Sequence, residues 1–172
     1  MTAEGIRNAI ESAIAYLGEH PDQARYTDGH ATATLGQDGL RTTVSGPDGA
    51  RLTTDMPKSV GGGNSAPSPG WFLRAAEASC TATLIAMRAA QLGVELAGVE
   101  VTVDSESDDR GILGMDETTP AGPSSTRVSA RISAPGASAA RIEEIARWAV
   151  EHCPVTDAVQ RAIPLSIEVH NE

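Results

Sequence analysis

Hydrophobic positions near the start of the chain follow a helical period. Ile6, Ala9, Ile10, Ala13, Ile14 and Leu17 recur at spacings of three and four, and Gly18 with Pro21 ends the pattern, which predicts a helix over 4–18. From Tyr26 the period shortens to two. Strands are predicted over roughly 30–36, 40–46 and 50–55, divided by Gln37-Asp38-Gly39 and Pro47-Asp48-Gly49. Asp-Gly turns between Thr- and Val-rich segments point to antiparallel hairpins. The stretch after Pro57, with Gly61, Gly62 and Gly63, reads either as a linker or as a structured loop whose glycines let backbone approach another element.

Ser68 suits an N-cap and Pro69 the first helical position, so a helix of about six turns is predicted from there to Gly93. Nearly half of its residues are Ala, Ser or Thr, which predicts burial on most sides and close approach to a second helix. Arg74 and Glu77 read as its solvated or salt-bridged exceptions. Val99, Val101 and Val103 mark a strand within 94–106, and Val128, Ala130 and Ile132 mark another. Ile142, Ile145, Ala146, Ala149 and Val150 form the stripe of a helix over 138–152. Cys153-Pro154 interrupts it, a shorter helix follows over 155–162, and Leu165, Ile167 and Val169 predict a closing strand over 164–170. The class is α+β, with helices against antiparallel or mixed sheet.

The 172 residues suffice for one domain that buries about 70% of its unfolded surface without metal or disulfide. Thirteen Lys and Arg against 23 Asp and Glu give a net charge of -10, which argues against nucleic acid as a partner. No apolar run reaches the roughly 20 residues of a membrane span, so no membrane partner is expected. The start of the chain lacks the basic region and apolar core of a signal peptide, and a cytoplasmic location is the expectation. With one Phe, two Trp and two Tyr, the core must be built from Ala, Val, Leu and Ile. His20, His30, His152 and His170 lack metal-ligand spacing, so neither a metal nor another cofactor is expected. The acidic run from Asp104 to Arg110 reads as a solubilising connector, and the glycine triplet lacks the Lys of a phosphate loop.

Chemistry rests on Cys80 and Cys153, which are too few for a disulfide scaffold and too far apart for a CxxC motif. Cys80 lies on the small-residue helix beside Ala76, Thr83 and Met87. Taken singly, it is an ordinary packing cysteine. Cys153 precedes Pro154, where it can cap the following helix, and unpaired N–H groups there would lower its pKa. His152 is adjacent and is a candidate proton handler.

The segment GGGNSAPSPGWFLRAAEASC, Gly61 to Cys80, resembles the glycine-rich loop and cysteine helix of the OsmC/Ohr family, the osmotically inducible and organic hydroperoxide resistance proteins. The segment AVEHCPVTDAV, Ala149 to Val159, is similar to that family's second-cysteine motif. The resemblance covers roughly 28–170, and the chain divides on this basis into an N-terminal helical extension, 1–25, and an OsmC-like domain, 26–172. It implies an intertwined homodimer with central buried helices and two sites at the subunit interface. It also implies a catalytic pair, in which Cys80 attacks the hydroperoxide and Cys153 closes a disulfide that a dithiol or lipoylated protein partner reduces. The family's Arg and Glu helpers correspond to Gln37 and Gly70 here, which marks a divergent member. The alternative is a non-peroxidase relative that binds a small apolar or thiol-reactive ligand at the interface, with Trp71 as a lining candidate.

Overall fold

The computed structural model describes residues 2–37 and 39–171, and Asp38 of the first predicted turn lies outside the described residues. The chain forms two compact units, one of residues Asn8–Ala75 and one that joins the residues up to Arg7 with those from Ala76 onward. Helix α1, Ala3–Glu19, runs through the first boundary and has no buried residue.

In the Asn8–Ala75 unit, β1 (Thr32–Leu35), β2 (Thr42–Ser45) and β3 (Arg51–Thr54) form an antiparallel sheet in sequence order. Its register sets Ala33 against Val44 and Val44 against Leu52. The second turn has Asp48 at φ 54° and Gly49 at φ 76°. Two successive positive φ values suit the right-handed twist of the flanking strands, and Asp and Gly reach them at low cost.

After β3 the chain folds back on itself, and the glycine triplet is a structured loop rather than a linker. The buried Asp55 carboxylate accepts hydrogen bonds from the N–H groups of Met56, Gly63 and Ser65 and from the Ser65 hydroxyl. A Cβ on Gly62 would stand 1.9 Å from the Met56 carbonyl oxygen, so only glycine fits there. Four donors converging on Asp55 hold its carboxyl at a pKa of about 2, the Ser65 N–H and hydroxyl having the largest effect.

In the other unit, α2 (Pro69–Gln91) contributes its residues from Ala76 onward. Its fully buried residues are Glu77, Thr81, Ile85, Ala89 and Ala90, the first four spaced by four, and most of the other positions from Ala76 onward are half-buried. Strands β4 (Gly98–Glu106) and β5 (Ser125–Ser133) pair antiparallel over nine positions, with the short helix α3 (Asp109–Ile112) in the connection. Helix α4 (Ala139–Glu151) is capped by Ser138, whose hydroxyl accepts from the Arg141 N–H. Ile85, Ala89, Ile145 and Ala149 form the core, with Val99, Val101 and Ile132 of the sheet packed against it. No aromatic ring enters this cluster, as the composition requires.

Two expectations change. Every strand pair among the described residues is antiparallel, so the mixed alternative does not arise. The predicted strand over 164–170 is not one in the single chain, and Leu165, Ile167 and Val169 are 95%, 85% and 74% exposed. Alternation selects a face, but a strand also needs a neighbour to satisfy its N–H and C=O groups.

Candidate functional site

Cys153 is the N-cap of α5, Pro154–Gln160. Helix α4 ends two residues earlier at Glu151, Pro154 takes the first helical position, and the Thr156 N–H donates to Cys153 Sγ at 3.4 Å. The Cys-Pro break therefore presents the N-terminal donors of a helix to a sulfur. Cys153 is fully buried, and Cys80 is partly exposed.

The structure brings the two cysteines near one another, unbonded and close enough for each to act on the other's acidity. Burial pushes the Cys80 thiol up, and the Cys153 sulfur pushes it further by accepting its S–H and by opposing a second negative charge. The Val155 N–H acts weakly in the other direction. Burial also pushes Cys153 up most strongly, yet the surrounding groups, led by Thr156, together outweigh it. Smaller contributions come from the Cys80 thiol and from the Thr81 hydroxyl, which approaches the sulfur without completing a hydrogen bond. Cys153 thus ends below its ordinary value and Cys80 above it. The first thiolate forms on Cys153.

Glu77 corrects an expectation. It is 1% exposed rather than solvated, because α2 turns it inward, where its Oε1 accepts from Thr156 Oγ1 at 3.2 Å. Its Oε2 is buried with no partner among the described residues. Neither Thr156 nor Thr81 stood out in the sequence. The available signal for Thr156 was its place three residues after an N-cap, where a backbone N–H meets the capping side chain.

The His152 ring stacks on Trp148, and its Nδ1 meets the Trp148 carbonyl oxygen at 2.8 Å on an exposed face. In the other unit, Gln37 is exposed between β1 and β2, and Trp71 packs edge-on against Phe72 while 47% exposed. Gly70 lies in the first turn of α2. A cavity of about 330 Å³ is lined by Thr81, Val128, Ala130, Ala146 and Val150 together with the charged Arg147 and Glu151. Its lining is mixed, and Thr81 within it acts on Cys153. Among the described residues no three His, Cys, Asp or Glu side chains converge as metal ligands, and no helix is long and apolar enough to cross a membrane.

A family model described as OsmC-like protein matches residues 62–168. The fold is similar to that of an OsmC-like protein from Mycoplasma pneumoniae, with a TM-score of 0.67 and 18% identity over 79% of this chain and 89% of that one. It is also similar to an organic hydroperoxide resistance protein from Elizabethkingia anophelis, with a TM-score of 0.59 and 19% identity over 79% and 90% of the two chains. For the organic hydroperoxide resistance protein OsmC of Legionella pneumophila, the TM-score is 0.56 and the identity 21%, over 79% and 91%. No curated protein sequence matches the chain.

Proposed function

The chain belongs to the OsmC-like protein family, and from that premise we propose that it reduces organic hydroperoxides with the thiols of Cys80 and Cys153. The observation that carries this reading is the contact between two free cysteines of unequal acidity. Such a pair can activate one sulfur and protect it afterwards.

In the resting pair, Cys80 donates its S–H to the Cys153 thiolate. As a hydroperoxide arrives at the more exposed Cys80, that proton passes to Cys153. The Cys80 thiolate attacks the terminal peroxide oxygen, an S–O bond forms, the O–O bond breaks, and the alkoxide takes a proton from water. Cys80 is then a sulfenic acid. The Cys153 sulfur attacks it, an S–S bond forms, and the hydroxyl leaves as water with the Cys153 proton. An external dithiol, free or as a lipoylated protein, is oxidised to its own disulfide and restores both thiols. Here Cys153 serves as base before it serves as resolving thiol, which supplies an activating group where the family's Arg and Glu positions hold Gln37 and Gly70. The Val128, Ala130, Ala146 and Val150 side of the cavity beside Thr81 suits the organic substituent of the hydroperoxide.

The test adds one equivalent of cumene hydroperoxide to the reduced protein and reads intact mass. The expected product has lost two hydrogens, and Cys80→Ser abolishes peroxide consumption. Turnover no faster than that of a free thiol at neutral pH would overturn the reading. That outcome, with a small apolar ligand retained in the cavity, would favour the second reading, ligand binding without peroxidase activity, to which Gln37 and Gly70 lend support. A homodimer with the site at its interface belongs to the same proposal. The exposed alternation of Leu165, Ile167 and Val169 supports it.

A further inference from the structure

A buried hydrogen bond joins the two cysteine-bearing elements close to both sulfurs. Glu77 precedes Cys80 by three residues on α2, and Thr156 follows Cys153 by three in the first turn of α5. Thr156 Oγ1 donates to Glu77 Oε1 at 3.2 Å, and both residues are buried. The Thr156 N–H meanwhile caps Cys153 Sγ at 3.4 Å. One residue thus holds the Cys153 sulfur through its backbone and α2 through its side chain. Glu77 Oε2 has no partner among the described residues, so the carboxylate grips α5 through Oε1.

Such a link matters because α5 has little else of its own to hold it. It has seven residues, too few for a helix to persist by its own hydrogen bonds. Beyond it, residues 161–170 form neither helix nor strand and are exposed. Before it, α4 has already stopped at Glu151. We propose that Glu77 and Thr156 are positioning residues whose hydrogen bond braces α5 on α2 and holds the Cys153 sulfur where it can reach Cys80. The brace serves the disulfide-forming step and rests on the thiol-pair reading. In that step Cys153 Sγ attacks the sulfenic sulfur of Cys80, the S–S bond forms, and the hydroxyl leaves as water with the Cys153 proton. A sulfur held in place reacts faster than one that wanders. The coupling is reciprocal, so brace and disulfide favour one another by the same factor.

The ion pairs nearby do a different job. Arg88 of α2 pairs with Glu144 in the middle of α4, which ties α4 to α2 before the Cys-Pro break. Arg147 pairs with Glu143 within α4, and Asp157 pairs with Arg161 within α5. None of these three joins α5 to the Cys80 helix.

The experiment equilibrates the full chain with mixtures of reduced and oxidised glutathione at neutral pH and reads the Cys80–Cys153 disulfide by alkylation and intact mass. Glutathione disulfide takes two electrons and two protons from the thiol pair and leaves as two glutathione molecules. The equilibrium ratio gives the effective concentration of one cysteine at the other. Thr156→Val keeps the side-chain shape without the hydroxyl and should lower that concentration about tenfold, since a hydrogen bond to a charged group is worth that much or more. Glu77→Leu should lower it by a similar factor, and the two together no further than either alone. Thr156→Ser keeps the hydroxyl and should retain the parent value. A parent value in Thr156→Val, or a fall of about a hundredfold in the double variant, would overturn the brace alone. If Glu77→Leu fails to fold, equal values in Thr156→Ser and Thr156→Val would overturn it instead. A parent protein that forms no such disulfide at any glutathione ratio would sink the brace and the thiol pair together. A protein inert to hydroperoxides that still passes this test would sink the peroxidase reading alone.

Discussion

At the residue scale, the site depends on two neighbouring buried thiols that differ in the donors around them. Desolvation raises both, and only Cys153 has donors enough to reverse it. The half of this arrangement that depends on local sequence was legible. Cysteine before proline at a helix break predicts an N-cap, and the Thr156 N–H meets Cys153 Sγ as an N-cap requires. Glu77 was not legible, because a single glutamate on a helix reads as solvated, and its burial depends on a partner 79 residues further on. The inequality of the thiols leads to a prediction. With Cys153→Ser, the oxidised Cys80 has no thiol to condense with, so excess hydroperoxide should carry it to sulfinic acid. Intact mass should then show two added oxygens, while the parent shows a disulfide and none. Because this variant also lacks the base, its oxidation should be slow at neutral pH and quicken as Cys80 ionises. A Cys80 that stays unmodified even at a pH where its thiol is ionised would remove it from the role of attacking sulfur.

At the element scale, the glycine-rich loop is held by one carboxylate. Gly61 has φ 90° and Asn64 φ 54°, conformations that glycine and asparagine reach with least strain. The sequence left linker and structured loop open because glycine permits both. Asp55 decides between them, and its role is invisible in one dimension, since its donors Gly63 and Ser65 come from the loop it closes. The pH dependence follows from the sign of its shift. The folded pKa of about 2 lies below the ordinary 3.8, so the ionised carboxylate stabilises the fold above the ordinary value. That contribution declines as pH falls from 3.8 towards about 2. Asp55→Asn should lower stability at neutral pH and flatten its acid dependence over this window, as read by urea midpoints across the range. Parallel curves for parent and variant would count against the clasp.

At the scale of the whole molecule, the parts that a single chain leaves uncovered are apolar and patterned. Helix α1 buries none of its residues, and Ile14 is 61% exposed. Leu165, Ile167 and Val169 alternate with Ser166, Glu168 and His170 yet sit on no sheet. Period-two patterning was readable, but it specifies a face and not the chain that supplies the neighbouring strand. Three large apolar side chains left in water on one face are costly, and pairing with a second copy would relieve this while satisfying the backbone donors. The proposed homodimer therefore makes this segment part of its interface. Ile167→Glu should raise the dimer dissociation constant by about tenfold or more, given the value of burying one such side chain. Light scattering over a dilution series checks this, with Glu168→Gln as the control that leaves the constant nearly unchanged. A parent protein that is monomeric at every concentration would overturn the dimer. A dimer indifferent to Ile167→Glu would move the interface elsewhere on the chain.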